Sequence, residues 1–230
     1  MLLRWTRWLV NAILASLVIV VFVACSAASV APSASPGPTT PAPTPIPKGI
    51  VLYQADWSHH LQDWHPSTGW QVTGNVLQSV TKGDLSLTVP YQPTMSDYAL
   101  VFQVQVVKMT QTLGQYMITV DPSSTRNGYQ CGILGFPRPD KETNSIHPQV
   151  EVYTEPLDLT GQTTAPHDQA VGYQWHDYRI EIHGNQLFFY FDNQLSGRTL
   201  AQTKTFASGP IKFAVTDIGL RIGSFRIVTA

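Results

Sequence analysis

The stretch Trp175-His176-Asp177-Tyr178-Arg179-Ile180-Glu181-Ile182-His183-Gly184-Asn185-Gln186-Leu187-Phe188-Phe189-Tyr190-Phe191 decides the fold. Tyr178, Ile180 and Ile182 alternate with Arg179, Glu181 and His183, a period of two that belongs to a half-buried strand and not to a helix. Gly184-Asn185 then turns the chain into a second apolar run, so residues 177 to 192 read as a tight hairpin. The same period recurs outward from this hairpin. Tyr98, Leu100, Phe102, Val104 and Val106 share one face of a long strand, with Gln103 and Gln105 on the other. Shorter runs follow the pattern at 50–55, 70–72, 76–80, 84–89, 115–120, 128–134, 149–154, 199–205, 211–216 and 219–228. In the last run the apolar parity slips between Ile222 and Phe225, which places a bulge at Gly223-Ser224. No window of a dozen residues supports an amphipathic helix. About a dozen strands from residue 50 onward predict one all-β, two-sheet antiparallel sandwich, large enough to bury a core without disulfides.

Ahead of residue 50 the composition changes. All 15 acidic residues lie at or beyond Asp56, and only Arg4, Arg7 and Lys48 of the 14 basic residues precede it. The remaining chain therefore carries eleven basic against fifteen acidic groups, a net charge of about −4. A domain with that acidic balance, in a chain only 13% charged, has no basic face for phosphates, so no nucleic-acid partner is expected. Arg4 and Arg7 precede an apolar segment, Leu9 to Ala24, which has the form of an export signal. The run Phe22-Val23-Ala24-Cys25-Ser26 resembles the lipobox of bacterial lipoproteins, and that resemblance implies lipidation of Cys25. An uncleaved membrane anchor is the alternative, since ~20 apolar residues can span a bilayer. Both readings place the rest of the chain outside the cytoplasm, on the bacterial cell membrane. Seven of the 17 prolines fall between Pro32 and Pro47, which reads as an extended, disordered linker. The expected organisation is residues 1–24 as signal or anchor helix, 25–49 as linker and 50–230 as sandwich.

Several segments carry a further resemblance. Trp175 to Asn185, Phe189-Tyr190-Phe191-Asp192-Asn193, Gly209-Pro210-Ile211-Lys212-Phe213 and Ile222-Gly223-Ser224-Phe225-Arg226-Ile227 look like the C-terminal half of concanavalin A-like jelly rolls. Asp63-Trp64 and Gly69-Trp70-Gln71-Val72-Thr73-Gly74-Asn75 resemble the front half. The laminin-G-like and 3-keto-disaccharide-hydrolase-like branches are the most similar. The resemblance implies a jelly roll over residues 50 to 229, with Trp64, Trp70 and Trp175 packing the sandwich. It also implies carbohydrate as the ligand class, with a glycan as partner.

Family-16 glycoside hydrolases of that superfamily carry Glu-x-Asp-x-Glu on one strand. The nearest run is Glu151-Val152-Tyr153-Thr154-Glu155, in which Tyr153 replaces the middle acid. Alternation puts Glu151, Tyr153 and Glu155 on one face. Acids four residues apart on a strand are ~13 Å apart, whereas retaining glycosidases need ~5.5 Å and inverting ones ~6.5–9.5 Å. The strand therefore reads as a binding face, with Tyr129 and Tyr153 as aromatic platforms and Arg138 in a flanking loop. No catalytic residue is assigned. A glycoside-active enzyme resembling 3-keto-disaccharide hydrolases is one alternative, and a structural or sensor module for another envelope protein is a second. Asp56, His59, His60, Asp63 and His65 form the densest potential metal group. They lack the spacing of a ligand set and read as a surface loop. Calcium in the Asp121–Gly128 loop would meet one carboxylate and an internal arginine, a poor set for a hard cation. No cofactor is therefore assigned. Cys131, alone once Cys25 carries lipid, reads as a buried and inert thiol.

Overall fold

The structure is a computed structural model and describes residues 48–109, 114–136, 149–155, 173–201 and 204–230. The signal or anchor, Cys25, nearly all of the linker and Arg138 lie outside the described residues. Residues Pro45–Ala230 form one compact unit.

Fourteen strands occupy the described residues: β1 (Val51–Gln54), β2 (His65–Pro66), β3 (Trp70–Thr73), β4 (Val76–Ser79), β5 (Asp84–Thr88), β6 (Asp97–Met109), β7 (Gly114–Val120), β8 (Gly128–Phe136), β9 (Gln149–Glu155), β10 (Trp175–His183), β11 (Gln186–Phe191), β12 (Gln194–Leu200), β13 (Ile211–Thr216) and β14 (Ile218–Thr229). A single 3₁₀ turn, Trp57–His59, is capped by the Asp56 carboxylate, which accepts from the Ser58 amide. One sheet runs β12-β11-β10-β6-β14-β4-β3, with β1 also paired to β14; the other runs β2-β5-β13-β7-β8-β9. All the strand pairs are antiparallel. This is the two-sheet antiparallel sandwich that the alternating pattern implied, in the jelly-roll form that the resemblance implied.

The hairpin that opened the sequence reading is β10–β11, in register from His183↔Gln186 to Tyr178↔Phe191. A second hairpin follows at once. Asp192 and Asn193 both adopt positive φ (45° and 64°), the backbone a two-residue turn of this hand requires and one that Asp and Asn tolerate. That turn moves the next strand to Gln194–Leu200, upstream of the run expected at 199–205. The expected bulge is present. Ile222 pairs with Val104 and Phe225 with Phe102, so Gly223 and Ser224 together oppose Gln103.

The core lies between the sheets and is aromatic. Phe102 of β6 stacks on Tyr178 of β10 at 5.5 Å and meets the edge of Phe213 of β13, joining the two sheets. Phe225 contacts Phe213, Trp64 and Tyr53, and Trp64 packs against Trp57. Burying each such side chain contributes about 1.5–3 kcal/mol before entropy is counted. At one end of the sandwich β12 reaches β9. A Cβ on Gly197 would stand 2.7 Å from Val152, so only glycine permits this approach.

Candidate functional site

Because side chains alternate, each sheet has one face in the core and one face outward. On the six-stranded sheet the registers align one outward residue from every strand. His65 pairs with Thr88, Thr88 with Lys212, Lys212 with Thr119, Thr119 with Gln130, and Gln130 with Tyr153. This polar row crosses the whole sheet and ends on an aromatic ring. His65 is exposed; the other five are half-buried. Lys212 is fixed by Asp121, whose carboxylate accepts from its Nζ at 2.6 Å. In the neighbouring row Gly132 lies beside Met117. A Cβ on Gly132 would strike the Tyr116 carbonyl and the Met117 sulfur, and Met117 is buried although it has the outward parity.

The sequence-predicted residues separate here. Tyr153 is in the polar row. Glu151 and Glu155 lie on the same strand, in register with Gly132 and Gly128. Tyr129 is a correction, since it is fully buried and no ligand can stack on it. Its parity is that of Cys131 and Ile133, which face the core. Its hydroxyl meets that of Tyr98 at 3.1 Å, its ring meets Phe206 edge-on, and burial pushes its phenol well above the usual value. Cys131 beside it is buried too, and desolvation drives its thiol far up, away from a reactive thiolate.

Of the tryptophans, Trp57, Trp64 and Trp70 are buried, with Trp57 Nε1 donating to the Gly223 carbonyl at 2.7 Å. Trp175 departs from the packing role that the resemblance implied. It is 40% exposed, on the outer face of the eight-stranded sheet. The hairpin itself carried that signal, because Trp175 shares the parity of Asp177, Arg179, Glu181 and His183.

The His-rich segment after β1 is a set of local contacts. Asp56 accepts from the Ser58 hydroxyl and amide and pairs with His59 at 2.9 Å, and these contacts, Ser58 foremost, hold its carboxyl below the usual range. Among the described residues no three His, Cys, Asp or Glu side chains gather as a metal site. Glu181 is also held low. Burial pulls its carboxyl upward, but hydrogen bonds from Arg179 and His183, with the Arg179 charge, outweigh it. Both shifts run opposite to what a general acid needs at neutral pH.

No family model and no curated protein matches the chain. Solved structures do match it in fold. A Bacillus subtilis protein of unknown function with a galectin-like fold aligns with a TM-score of 0.58 at 13% identity, covering 80% of this chain and 98% of that one. An immunostimulatory antigen and pseudo β-1,3-glucanase of Mycobacterium tuberculosis aligns at 0.57 and 10% identity, over 79% of this chain and 100% of the other. The CBM2 module of an evolved Dit from Lactobacillus casei BL23 phage J-1 aligns at 0.53 and 10% identity, covering 78% and 95%. The fold is thus the concanavalin A-like jelly roll shared by galectin-like and glucanase-like proteins.

Proposed function

We propose that this domain is a carbohydrate-binding module, held outside the cytoplasm on a bacterial membrane by a lipid on Cys25. The observation that carries the binding reading is the polar row His65–Thr88–Lys212–Thr119–Gln130–Tyr153. At about 4.8 Å per strand its five intervals span roughly 24 Å, a track for an oligosaccharide and not for a single sugar. Hydroxyls, an amide and an ammonium supply both donors and acceptors, which suits the mixed character of sugar hydroxyls. Tyr153 at its end supplies an aromatic ring with a polar tip. Glu151 and Glu155 on the same strand, and Arg138 after β8, extend the proposed site. That one structural neighbour is a CBM2 module and another a pseudo β-1,3-glucanase supports carbohydrate as the ligand class.

The test is a glycan array probed with the compact unit Pro45–Ala230 and its Tyr153→Ala and Gln130→Ala variants. The wild type is expected to bind a linear glycan, and either substitution to weaken that binding at least about tenfold, as truncation at an interface hot spot does. A wild type that binds nothing on the array refutes the reading.

A further inference from the structure

The outer face of the eight-stranded sheet has a row of its own. Trp175 of β10 pairs with Gln105 of β6, Gln105 with Arg221 of β14, Arg221 with Gln78 of β4, and Gln78 with Gln71 of β3. Five adjacent strands thus present one tryptophan, three amides and a guanidinium in line. The adjacent rows of the same strands confirm the parity, because His176, Val104, Ile222 and Leu77 all face the core. Arg221 Nε donates to Gln78 Oε1 at 3.1 Å, and Gln105 Nε2 donates to the Tyr173 carbonyl at 2.8 Å, so these three polar groups of the row are held in place.

The tryptophan is held as well. Its ring sits on the bulge of β14, with Cζ3 and Cη2 at 3.1 and 3.2 Å from where a Cβ on Gly223 would stand. Trp57 anchors the same bulge from below through its hydrogen bond to the Gly223 carbonyl. A large indole, 40% exposed and seated on a glycine that leaves it room, is a rigid platform and not a stray surface residue. A cavity of about 560 Å³ also opens at the bulge, lined by Gln54, Asp56, Asn75, Gly223 and Arg226 among others.

We propose that this face is a second glycan-binding track, with Trp175 stacking one sugar ring and Gln105, Arg221, Gln78 and Gln71 bonding the hydroxyls of the units that follow. Four intervals of about 4.8 Å give roughly 19 Å, the length of a short oligosaccharide. Each amide offers donors and an acceptor, and the guanidinium offers donors only. Arg221 is the one charged group in the row and the rest is neutral, which suits an uncharged sugar chain. The track shares its ligand class with the proposed function but lies on the opposite sheet, so each can stand without the other.

The experiment measures retention of the full chain, in detergent, by laminarin, cellulose, xylan, mannan and chitin, using wild type, Trp175→Ala, Trp175→Tyr, Gly223→Ala and Tyr153→Ala. Trp175→Ala should weaken retention at least about tenfold. Trp175→Tyr, which keeps a stacking ring, should lose less, and Gly223→Ala, which unseats the ring, should lose an intermediate amount. Thermal melts of all variants should match the wild type within a few degrees, which separates lost binding from lost folding. Loss with both Trp175→Ala and Tyr153→Ala supports two tracks. Loss with Trp175→Ala alone supports this track and removes the one on the six-stranded sheet. Loss with Tyr153→Ala alone, or a wild type retained by none of the five polysaccharides, overturns the second track.

Discussion

Trp175 faces out of the sandwich and Tyr129 faces into it, and the cause is the same for both. A strand has two faces, and a residue's parity relative to known core neighbours outweighs its type. Tyr129 stands two and four residues from Cys131 and Ile133 and follows them inward. Trp175 alternates with His176, Tyr178 and Ile180 and so faces out. Glu181 shows what parity decides for charge. On the outer face it gathers Arg179 and His183, and its carboxyl is held below its ordinary value of 4.5. A depressed native value means that the stabilisation is present above that ordinary value and is lost as pH falls through the depressed one. Glu181→Gln should therefore cost about 1 kcal/mol or less at pH 7. It should also flatten the fall in urea midpoint below about pH 4.5. Identical acid profiles for the two proteins would show that the pair contributes nothing.

At the scale of elements, the runs at 84–89, 115–120, 128–134 and 149–154 became β5, β7, β8 and β9 with ends shifted by at most two residues, and the run at 211–216 is β13 unchanged. The slip of parity in the last run became the bulge at Gly223-Ser224. What spacing concealed was the second hairpin, because Asp192-Asn193 lacks the glycine that marks such turns most plainly. The two-residue strand β2 was hidden as well, being too short to display a period. Gly197 was unreadable for another reason, since its need to be glycine comes from β9, over forty residues away. A Cβ there would stand 2.7 Å from Val152 Cγ2 and 3.2 Å from Val150 Cγ1. Gly197→Val should overpack this junction and destabilise the domain by about 1–3 kcal/mol, read as a lowered urea midpoint. An unchanged midpoint would mean that β12 and β9 do not pack against each other.

For the whole molecule, period two identified an all-β sandwich but not which strands share a sheet. β13 lies between β5 and β7, and β14 between β6 and β4, partners more than ninety residues distant in the chain. Alternation reports faces, not neighbours, so neither polar row could be assembled from sequence. The anchor belongs to this scale too. Cells given a radiolabelled fatty acid should label the wild type and not Cys25→Ala. An unlabelled wild type would leave the uncleaved helix as the anchor.

The first strand and the last close together. Val51 pairs with Val228, Gly49 N donates to the Thr229 carbonyl, and Thr229 N donates to the Ile50 carbonyl. β14 in turn lies against β6, the longest strand, in the interior of its sheet. If the domain grips a polymer as proposed while the chain ahead of it is held at a membrane, the tension enters at β1. Pulled along its axis, β1 loads its bonds to β14 together instead of peeling them one by one, and the force passes through β14 to β6. On the proposed reading, the bonds between β1 and β14 act as a lap joint that shares such a load among them.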